Sequence, residues 1–393
     1  MSNAGVCEEC WRRFRACFGT EPVVAARAPG RIEVLGNHTD YNEGLVLSAA
    51  IDLAAFFLAA PSPDTTCRVV AGDLAEEDCF EVSAVGPAAG GSWRNYVRGV
   101  LHGLQEHAPL RTGFRAVFMG SVPPGAGLGS SAALEIATGL ALSSLYGIEL
   151  EPLVLARIGQ NAEHRFAGVR CGLLDQISSL FGRRASLILT DFRTLAVETV
   201  PLGRELVFVV CNTNVKHALV DGEYNARRAK CEEAAAFFAT VLDHPVHALR
   251  DVGRDEWERY APRMDPVAAR RAIHVIGENE RVRQGRSHLL AGDPAAFGRL
   301  MFESHESSRV NFENSCPELD FLVAMARRTT GVLGARLSGG GFGGSVIALV
   351  REGDAANVSR SLAAAYREKF GVACQVRVVA PSDGAGLISR RGA

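Results

Sequence analysis

A glycine-rich segment between a predicted strand and a predicted helix constrains the fold of this chain more than any other feature. Alternating apolar residues predict the strand at residues 114–119, and a long helical pattern at 132–146 follows the segment, which spans residues 123–131. Small residues let backbone N–H groups approach phosphate oxygens, and the N-terminus of a helix adds a partial positive charge. The segment therefore predicts a phosphate-binding loop.

Two well-known phosphate loops fit this segment less well. The G-K-[ST] ending of a P-loop is absent, because Ser130 and Ser131 follow Gly129. A dinucleotide-binding loop would follow the first strand of its domain, whereas more than a hundred residues precede this one. Ser131 fits two roles at the start of the helix, either as its N-cap or, beside a triphosphate, as a ligand of Mg²⁺.

Length and composition predict a globular chain of two domains. With 393 residues, the chain is too long for one ordinary hydrophobic core. Its composition, with 47% hydrophobic and 22% charged residues, is typical of packed globular proteins. A net charge of −2 gives no electrostatic basis for binding nucleic acid or an anionic membrane surface. No apolar run reaches the eighteen or so residues of a membrane helix.

The cysteines predict a reducing compartment. Ten of them are spread along the chain without paired spacing, which favours free thiols in the cytoplasm over a disulfide framework. Cys7 and Cys10 form one C-x-x-C pair. No second pair or nearby histidine follows it, so we expect two cysteines on an N-terminal helix rather than a metal site.

Strand and helix patterns follow each other without strict alternation, which favours an α+β fold. Strands are predicted within 23–46 and at 46–58, 114–119, 185–191, 206–212, 334–337, 345–350 and 374–379. Helices are predicted at 6–19, 93–107, 132–146, 153–166, 173–180, 221–242, 268–290, 294–307, 317–328 and 354–370. We place the domain boundary near residues 200–215 and write the two domains as 1–205 and 206–393.

Three further segments carry patterns that suit a ligand. Asn37, His38 and Asp40 crowd an amide, an imidazole and a carboxylate into one turn, which suits vicinal hydroxyls but also an ordinary solvated turn. Asp175 lies among apolar residues at a predicted helix start, where it is either an N-cap or a functional carboxylate that needs a cation. Residues 338–344 contain five glycines and predict a close backbone approach to a ligand or another loop.

Taken together, these segments resemble the GHMP small-molecule kinases and, within them, the galactokinases. The string G-R-x-x-x-x-G-x-H-T-D-Y-N-x-G at residues 30–44 resembles the galactokinase signature. Residues 124–133 resemble the family's phosphate loop and residues 337–344 its C-terminal glycine motif. The resemblance implies the two-domain GHMP kinase fold, with mixed and antiparallel sheets, helices, and an active site in the cleft between the domains.

The resemblance also implies an activity: a cytoplasmic, monomeric enzyme of galactose metabolism that uses ATP and Mg²⁺ to phosphorylate α-D-galactose at C1. Asp175 would then be the base at the C1 hydroxyl, or orient that hydroxyl, with Arg31 beside it and the phosphoryl group. The remaining implied roles are sugar binding by Asn37, His38, Asp40, Gly172 and Tyr224; ATP binding by Trp93, Gly125, Gly127, Gly129, Ser130 and Ser131; and Mg²⁺ binding by Ser131 and Glu163.

One departure from the family pattern concerns the sugar. Galactokinases usually carry glutamate at the position of Asn37, which contacts the C6 hydroxyl, and asparagine at the position of Glu33. Because asparagine can donate to or accept from a hydroxyl, galactose stays the leading expectation. The missing carboxylate leaves galacturonate, N-acetylgalactosamine and L-arabinose as alternatives. A sugar sensor without catalysis is a third hypothesis, against which the complete phosphate loop, Arg31 and Asp175 argue.

Overall fold

The chain folds into two compact units that are interleaved along the sequence. The protein is described from a computed structural model, in which residues 3–89, 92–169, 171–216 and 220–389 are described, without the side chains of residues 216, 220 and 221. Unit 1 comprises Met1–Arg31, Ala50–Gly182 and Ser382–Ala393, and unit 2 comprises Ile32–Ala49 and Arg183–Pro381. The sequence predicted a single division between residues 205 and 206. As a boundary between family domains, that division stays a prediction.

The helices and strands follow the predicted order, with some additions. The helices are α1 (Asn3–Phe18), α2 (Trp93–Gln105), α3 (Ser130–Tyr146), α4 (Pro152–Ala162), α5 (Leu174–Phe181), α6 (Val220–Val241), α7 (Arg254–Tyr260), α8 (Pro266–Leu290), α9 (Pro294–Ser307), α10 (Pro317–Arg328) and α11 (Glu352–Phe370). The strands are β1 (Val24–Leu35), β2 (Leu45–Pro61), β3 (Thr66–Ala71), β4 (Glu76–Glu81), β5 (Phe114–Gly120), β6 (Ser186–Asp191), β7 (Ala196–Pro201), β8 (Leu206–Lys216), β9 (Val332–Ser338), β10 (Gly343–Arg351), β11 (Gln375–Val379) and β12 (Gly386–Leu387). Short π-helical turns follow α4 and α9, at Glu163–Ala167 and Ser308–Phe312.

Unit 1 contains a mixed sheet with the strand order β12-β1-β2-β5-β3-β4. β5 pairs antiparallel with β2 and parallel with β3. The apolar face of α1 packs on β2 and β5, and Cys7, Cys10 and Phe14 are buried there among aliphatic and aromatic side chains. The two cysteines therefore belong to the core of an N-terminal helix, as expected. All ten cysteines, which lie in the described part of the chain, are free thiols.

Unit 2 contains an antiparallel sheet with the strand order β11-β8-β10-β9. α10 and α11 bury their apolar residues against this sheet, and α6 and α8 form a second core with one another. β6 pairs with β7 and with the first residues of β2, so that Leu45 lies opposite Asp191. The α+β prediction with mixed and antiparallel sheets is thus confirmed.

Local sequence signals set several helix ends in the two units. Asp265 caps α8 and Asp293 caps α9 by accepting hydrogen bonds of 2.9–3.1 Å from backbone N–H groups of the first turn, and a proline follows each. α3 ends at Gly147, whose φ of 68° is a conformation that glycine adopts readily. Within the described residues, the helices are all too short or too polar to cross a membrane.

The packing of α9 on β9 leads to a stability prediction. A Cβ on Gly298 would lie 2.1 Å from the carbonyl oxygen of Leu333, so helix and strand are in backbone contact. Gly298→Ala must separate them, and we expect a loss of about 3 kcal/mol in the free energy of unfolding. Urea unfolding monitored by circular dichroism measures this change.

Gly353→Ala is the matched control, because a Cβ there meets no heavy atom within 4 Å. We expect its effect to stay within about 0.5 kcal/mol. Equal unfolding midpoints for the two variants would contradict the close contact between α9 and β9.

Candidate active site

The glycine-rich loop of unit 1 has a regular backbone conformation. Gly125, Gly127 and Gly129 each have a φ of 71°, in the left-handed region that other residues rarely adopt. α3 begins directly after the last of these glycines, and the first N–H groups of a helix have no partner inside it. The loop therefore leads into a helix N-terminus that favours an anion.

Arg31 and Asp175 form a bidentate ion pair against this loop. Arg31 Nε donates to Asp175 Oδ1 at 2.7 Å and Nη2 donates to Oδ2 at 2.5 Å. The same guanidinium donates to the carbonyl oxygen of Gly127. The backbone N–H of Arg31 donates to the carbonyl oxygen of Leu128 at 2.8 Å. A Cβ on Gly129 would lie 3.5 Å from Asp175 Oδ2. The pair is thus held beside the loop by its own contacts.

A hydroxyl and a carboxylate meet one turn further along. Ser131 Oγ donates to Glu163 Oε1 at 2.8 Å, and the Glu163 side chain is buried at the end of α4. Hydroxyl and carboxylate oxygens are the donors that Mg²⁺ prefers, and Mg²⁺ keeps several waters, so two protein ligands suffice. Among the described residues, no three His, Cys, Asp or Glu side chains cluster as a metal site. The pair fits a magnesium ion that is shared with a ligand.

Glu135 is a second carboxyl group near Glu163, inside α3. It is fully buried, and its Oε2 accepts a hydrogen bond of 2.9 Å from Gln176 Nε2. Burial, together with the charge of Glu163, raises the pKa of Glu135 well above its usual range. The neutral form is therefore favoured, and it adds no second negative charge beside Glu163.

One cavity of about 560 Å³ connects the predicted ATP residues of unit 1 with the ion pair. This volume is in the range of small-molecule sites. The predicted residues that line it are Trp93, Gly125, Gly127, Gly129, Ser130, Ser131, Arg31 and Asp175. Trp93 forms one wall: its Nε1 donates to Glu76 Oε2 at 2.9 Å and its ring lies 5.0 Å from that of Phe118.

Asn37, in unit 2, is buried and its amide is saturated. Its Nδ2 donates to Glu33 Oε1 at 2.8 Å and to the carbonyl oxygen of Gly339 at 2.9 Å. Its Oδ1 accepts from Asn314 Nδ2 at 2.9 Å and from Ser308 Oγ at 3.4 Å. A sugar hydroxyl can reach this amide only by replacing one of those partners.

His38, the next residue, lies among aromatic rings. Its Nε2 donates to the carbonyl oxygen of Gly340 at 3.1 Å, so Nδ1 must be the nitrogen that accepts from the Tyr41 hydroxyl at 2.9 Å. The ring lies 4.4 Å from Phe312 and 5.3 Å from Tyr224. Burial lowers the pKa of His38 to about 4, so the imidazole is neutral near pH 7.

The backbone of this turn is held by the buried carboxylate of Glu278. Its Oε2 accepts from the backbone N–H groups of Gly36 at 2.8 Å and Asn37 at 2.9 Å, and its Oε1 accepts from Arg281 Nε at 2.6 Å. Burial would raise the pKa of Glu278, but the charge of Arg281 and the backbone donors hold it well below its usual value. An ionised glutamate thus fixes the turn.

The predicted sugar residues fall in both units. Asn37, His38 and Tyr224 lie close together in unit 2, and Asp40 begins a half-buried 3-10 turn just after them. Gly172 belongs to unit 1, where it precedes the first turn of α5 and Asp175.

Sequence reasoning missed several residues of these sites. Glu135 had a visible signal, because it is one acidic residue inside an apolar helical run. Glu278, Asn314 and Arg336 had none, because they come from segments distant from the turn and read as ordinary helix, loop and strand.

Three family profiles match the chain. They are the galactokinase galactose-binding signature at residues 12–61, the GHMP kinases N terminal domain at residues 95–183 and the GHMP kinases C terminal domain at residues 286–368. The chain is also 39% identical, over 381 residues, to the galactokinase of Roseiflexus sp. (strain RS-1), in an alignment that covers 97% of each.

Solved structures extend the similarity to the fold. The galactokinase of Lactococcus lactis complexed with galactose matches with a TM-score of 0.91 and 32% identity, covering 97% of this chain and 99% of that one. The mevalonate kinase of Methanococcus jannaschii matches with a TM-score of 0.63 and 18% identity, covering 91% and 98%, and shares the fold. The likeness thus spans nearly the whole chain.

The Glu33–Arg336 pair beside Asn37 leads to a second stability prediction. Arg336 Nη1 donates to Glu33 Oε1 at 3.1 Å, and the arginine side chain is 0% exposed. Glu33→Gln leaves this buried charge without its carboxylate, which costs about 3 kcal/mol of unfolding free energy. Urea unfolding measures the loss.

Two controls belong to this measurement. Glu33→Gln with Arg336→Met removes both charges, and we expect it to regain part of the lost stability. Glu77→Gln breaks an ion pair with Arg68 in which both side chains are 43% exposed, so we expect a much smaller effect. If Glu33→Gln unfolds at the same urea concentration as the unchanged protein, the buried pair does not stabilise unit 2.

Proposed function

Since the chain belongs to the galactokinases of the GHMP kinase family, we propose that it transfers the γ-phosphoryl group of ATP to the C1 hydroxyl of α-D-galactose. The products are α-D-galactose 1-phosphate and ADP. The observation that carries the proposal is the bidentate pair of Arg31 and Asp175 in the cavity of the glycine-rich loop. In this cavity, a carboxylate and a guanidinium lie next to the loop that is proposed to bind the phosphates.

ATP binds along the loop in this proposal. Backbone N–H groups at Gly125, Gly127 and Gly129, with Ser130, hold the phosphates at the N-terminus of α3, and Trp93 faces the adenine. The left-handed glycines support this role, because a side chain on Gly129 would meet Arg31 Cγ at 3.1 Å and crowd the site.

Asp175 and Arg31 act on the reacting atoms. The Asp175 carboxylate accepts a hydrogen bond from the C1 hydroxyl and takes its proton as base, or orients the hydroxyl for attack. The C1 oxygen then bonds to the γ-phosphorus, the bond from this phosphorus to the bridging oxygen breaks, and ADP leaves. Because charge spreads over the phosphoryl oxygens during transfer, the Arg31 guanidinium beside them stabilises the transition state.

Ser131 and Glu163 would hold a magnesium ion in this proposal. Bound there, the ion would supply positive charge that offsets the negative charge of the phosphate groups. The direct contact between the Ser131 hydroxyl and the Glu163 carboxylate supports the assignment, because it brings both oxygen donors to the start of α3.

The sugar hydroxyls are bound by Asn37, His38, Asp40 and Tyr224 of unit 2 and by Gly172 of unit 1. The aromatic contacts around His38 support this set, since they hold a neutral imidazole that donates at Nε2 and accepts at Nδ1. We further propose a monomer that works in the cytoplasm and binds neither nucleic acid nor membranes, which the net charge of −2 supports.

The role of Asp175 leads to a kinetic prediction. Asp175→Asn keeps the size of the side chain but removes the base and the charge that pairs with Arg31. We expect kcat to fall at least about a hundredfold, while the affinity for ATP changes little. Coupled ADP release gives kcat, and isothermal titration calorimetry gives the ATP affinity.

Asp243→Asn, at an exposed loop position, is the control and should keep full turnover. If kcat is undiminished in Asp175→Asn, the assignment of Asp175 as the base is wrong. Lack of turnover with galactose and every other hexose in the presence of Mg²⁺ and ATP would remove the kinase proposal itself.

The exchanged Glu33 and Asn37 lead to a specificity prediction. We expect kcat/KM to be highest with galactose in a panel with galacturonate, N-acetylgalactosamine and L-arabinose. The amide of Asn37 lies 2.8 Å from Glu33 Oε1, so Asn37→Glu alone would place a second carboxylate beside that of Glu33. Because the two negative charges repel each other, this variant should destabilise the protein. The double variant Glu33→Asn/Asn37→Glu keeps one carboxylate and one amide.

We expect this double variant to fold and to raise the preference for galactose over galacturonate about tenfold, because a carboxylate at position 37 repels the acidic group at C6. An unchanged ratio of kcat/KM values would show that position 37 does not face C6. A higher kcat/KM with galacturonate in the unchanged protein would favour the alternative substrate.

A further inference from the structure

Unit 2 contains a second cavity, of about 520 Å³, that has no part in the proposed kinase site. Two of the three arginines that line it are Arg254 at the start of α7 and Arg281 on α8. Glu303 and Glu306 line it from α9, and Arg327 lines it from the end of α10. The cavity thus has guanidinium groups from α7, α8 and α10 and carboxylates from α9.

The guanidinium groups of Arg254 and Arg281 lie side by side. The position of a Cβ on Gly277 is 3.2 Å from Arg281 Nη1 and Nη2 and 3.5 Å from Arg254 Nη2. Glu280 pairs with Arg254 and Glu278 with Arg281, each from one side. Each guanidinium group has more N–H donors than its single carboxylate partner uses. Two such adjacent cations suit an anion that has several oxygens, such as a phosphate.

One of these donors has no partner. Arg281 Nη2 is buried and makes no hydrogen bond to any described residue, although the Nε of the same side chain donates to Glu278. A buried guanidinium nitrogen without an acceptor costs free energy, so the Arg281 side chain gains by any shift that brings this nitrogen to an oxygen.

The α9 residues of the cavity are unsuited to a bare anion but suited to hydroxyls. Carboxylates are acceptors only, so Glu303 repels a phosphate and accepts from hydroxyl groups, and Glu306, which pairs with Arg309, can accept a further hydrogen bond on each oxygen. Ser307 and Asn311 add polar atoms beside them, and the Phe302 ring, with Arg327 4.3 Å above its centroid, adds an apolar surface. This combination of hydroxyl acceptors and an apolar ring is typical of sugar sites.

We propose that this cavity binds a phosphorylated monosaccharide, with the phosphate at Arg254 and Arg281 and the sugar hydroxyls at the α9 residues and Arg327. Its volume exceeds what a phosphate ion fills and is within the range of small-molecule sites. The product of the proposed reaction belongs to this chemical class.

The cavity is connected to the backbone of the sugar turn. Arg281 holds Glu278, whose carboxylate accepts from the N–H groups of Gly36 and Asn37. A phosphate that pairs with Arg281 weakens the ion pair between Arg281 and Glu278. The hydrogen bonds by which Glu278 holds the backbone of this turn are then weakened as well. Occupation of the cavity therefore raises the KM for the sugar substrate, a consequence that rests on the proposed function.

Calorimetry on the full-length protein tests the binding itself without turnover. Galactose and a non-hydrolysable ATP analogue first fill the kinase site, and glucose 6-phosphate, inorganic phosphate and glucose are then titrated. We expect glucose 6-phosphate to bind, inorganic phosphate to bind at least tenfold more weakly, and glucose not to bind. Arg254→Ala and Arg327→Ala change exposed residues, and each should weaken glucose 6-phosphate at least tenfold.

Arg360→Ala is the matched control, because Arg360 is an exposed arginine of α11 outside the cavity. It should leave the affinity unchanged. Absence of glucose 6-phosphate binding, equal binding of inorganic phosphate, or equal affinity in Arg254→Ala and the unchanged protein would each overturn the proposal. These results do not depend on kinase activity, so they are separable from a failure of the proposed function.

Initial rates test the connection to the turn. We expect glucose 6-phosphate to raise the KM for galactose about fivefold and Arg327→Ala to abolish that effect while keeping the basal KM. If glucose 6-phosphate binds by calorimetry and the KM stays constant, the connection through Arg281 and Glu278 is overturned.

Discussion

The ion pair between Arg31 and Asp175 is the interaction on which the candidate active site depends. Asp175 comes from α5 and Arg31 from β1, so the pair ties a helix to a strand within unit 1. The same guanidinium donates to the carbonyl oxygen of Gly127, and the backbone N–H of Arg31 donates to Leu128. The arginine that pairs with Asp175 thus also contacts the glycine-rich loop, through its guanidinium group and through its backbone. Arg31 therefore contacts Asp175 and Gly127 through its side chain and Leu128 through its backbone, and these contacts fix where its charge lies in the site.

Much of the site could be predicted because its signals are local. Left-handed glycines before a helix, a hydroxyl at its first turn and a lone aspartate among apolar residues are visible in short windows of sequence. The buried strand β2 and the capped helices α8 and α9 were visible for the same reason. By contrast, β3 and β4 were missed, since each has only six residues and β4 carries acidic side chains of the kind that protects a sheet edge.

The contacts of Asn37 could not be predicted, because they come from distant parts of unit 2. The sequence has an amide at position 37, where the family that it resembles usually has a carboxylate. This resemblance predicts that Asn37 binds a sugar hydroxyl. The structure shows that Glu33, four residues earlier, supplies a carboxylate to that amide and also to the buried Arg336. Carboxylate and amide are thus in contact with each other at the two positions where this sequence departs from the pattern of the family that it resembles.

Two buried glutamates show how partners decide what burial does. Glu135 and Glu278 are both fully buried. Near Glu135 the neighbours are the carboxyl group of Glu163 and one amide donor, so burial raises the pKa. Around Glu278, Arg281 and two backbone N–H groups outweigh burial and lower the pKa. A glutamate of the first kind adds no second negative charge beside Glu163, while one of the second kind stays ionised and can hold a turn. The same kind of side chain is thus neutral in one unit and an ionised backbone anchor in the other, and the difference comes from hydrogen-bond donors and charges nearby rather than from exposure.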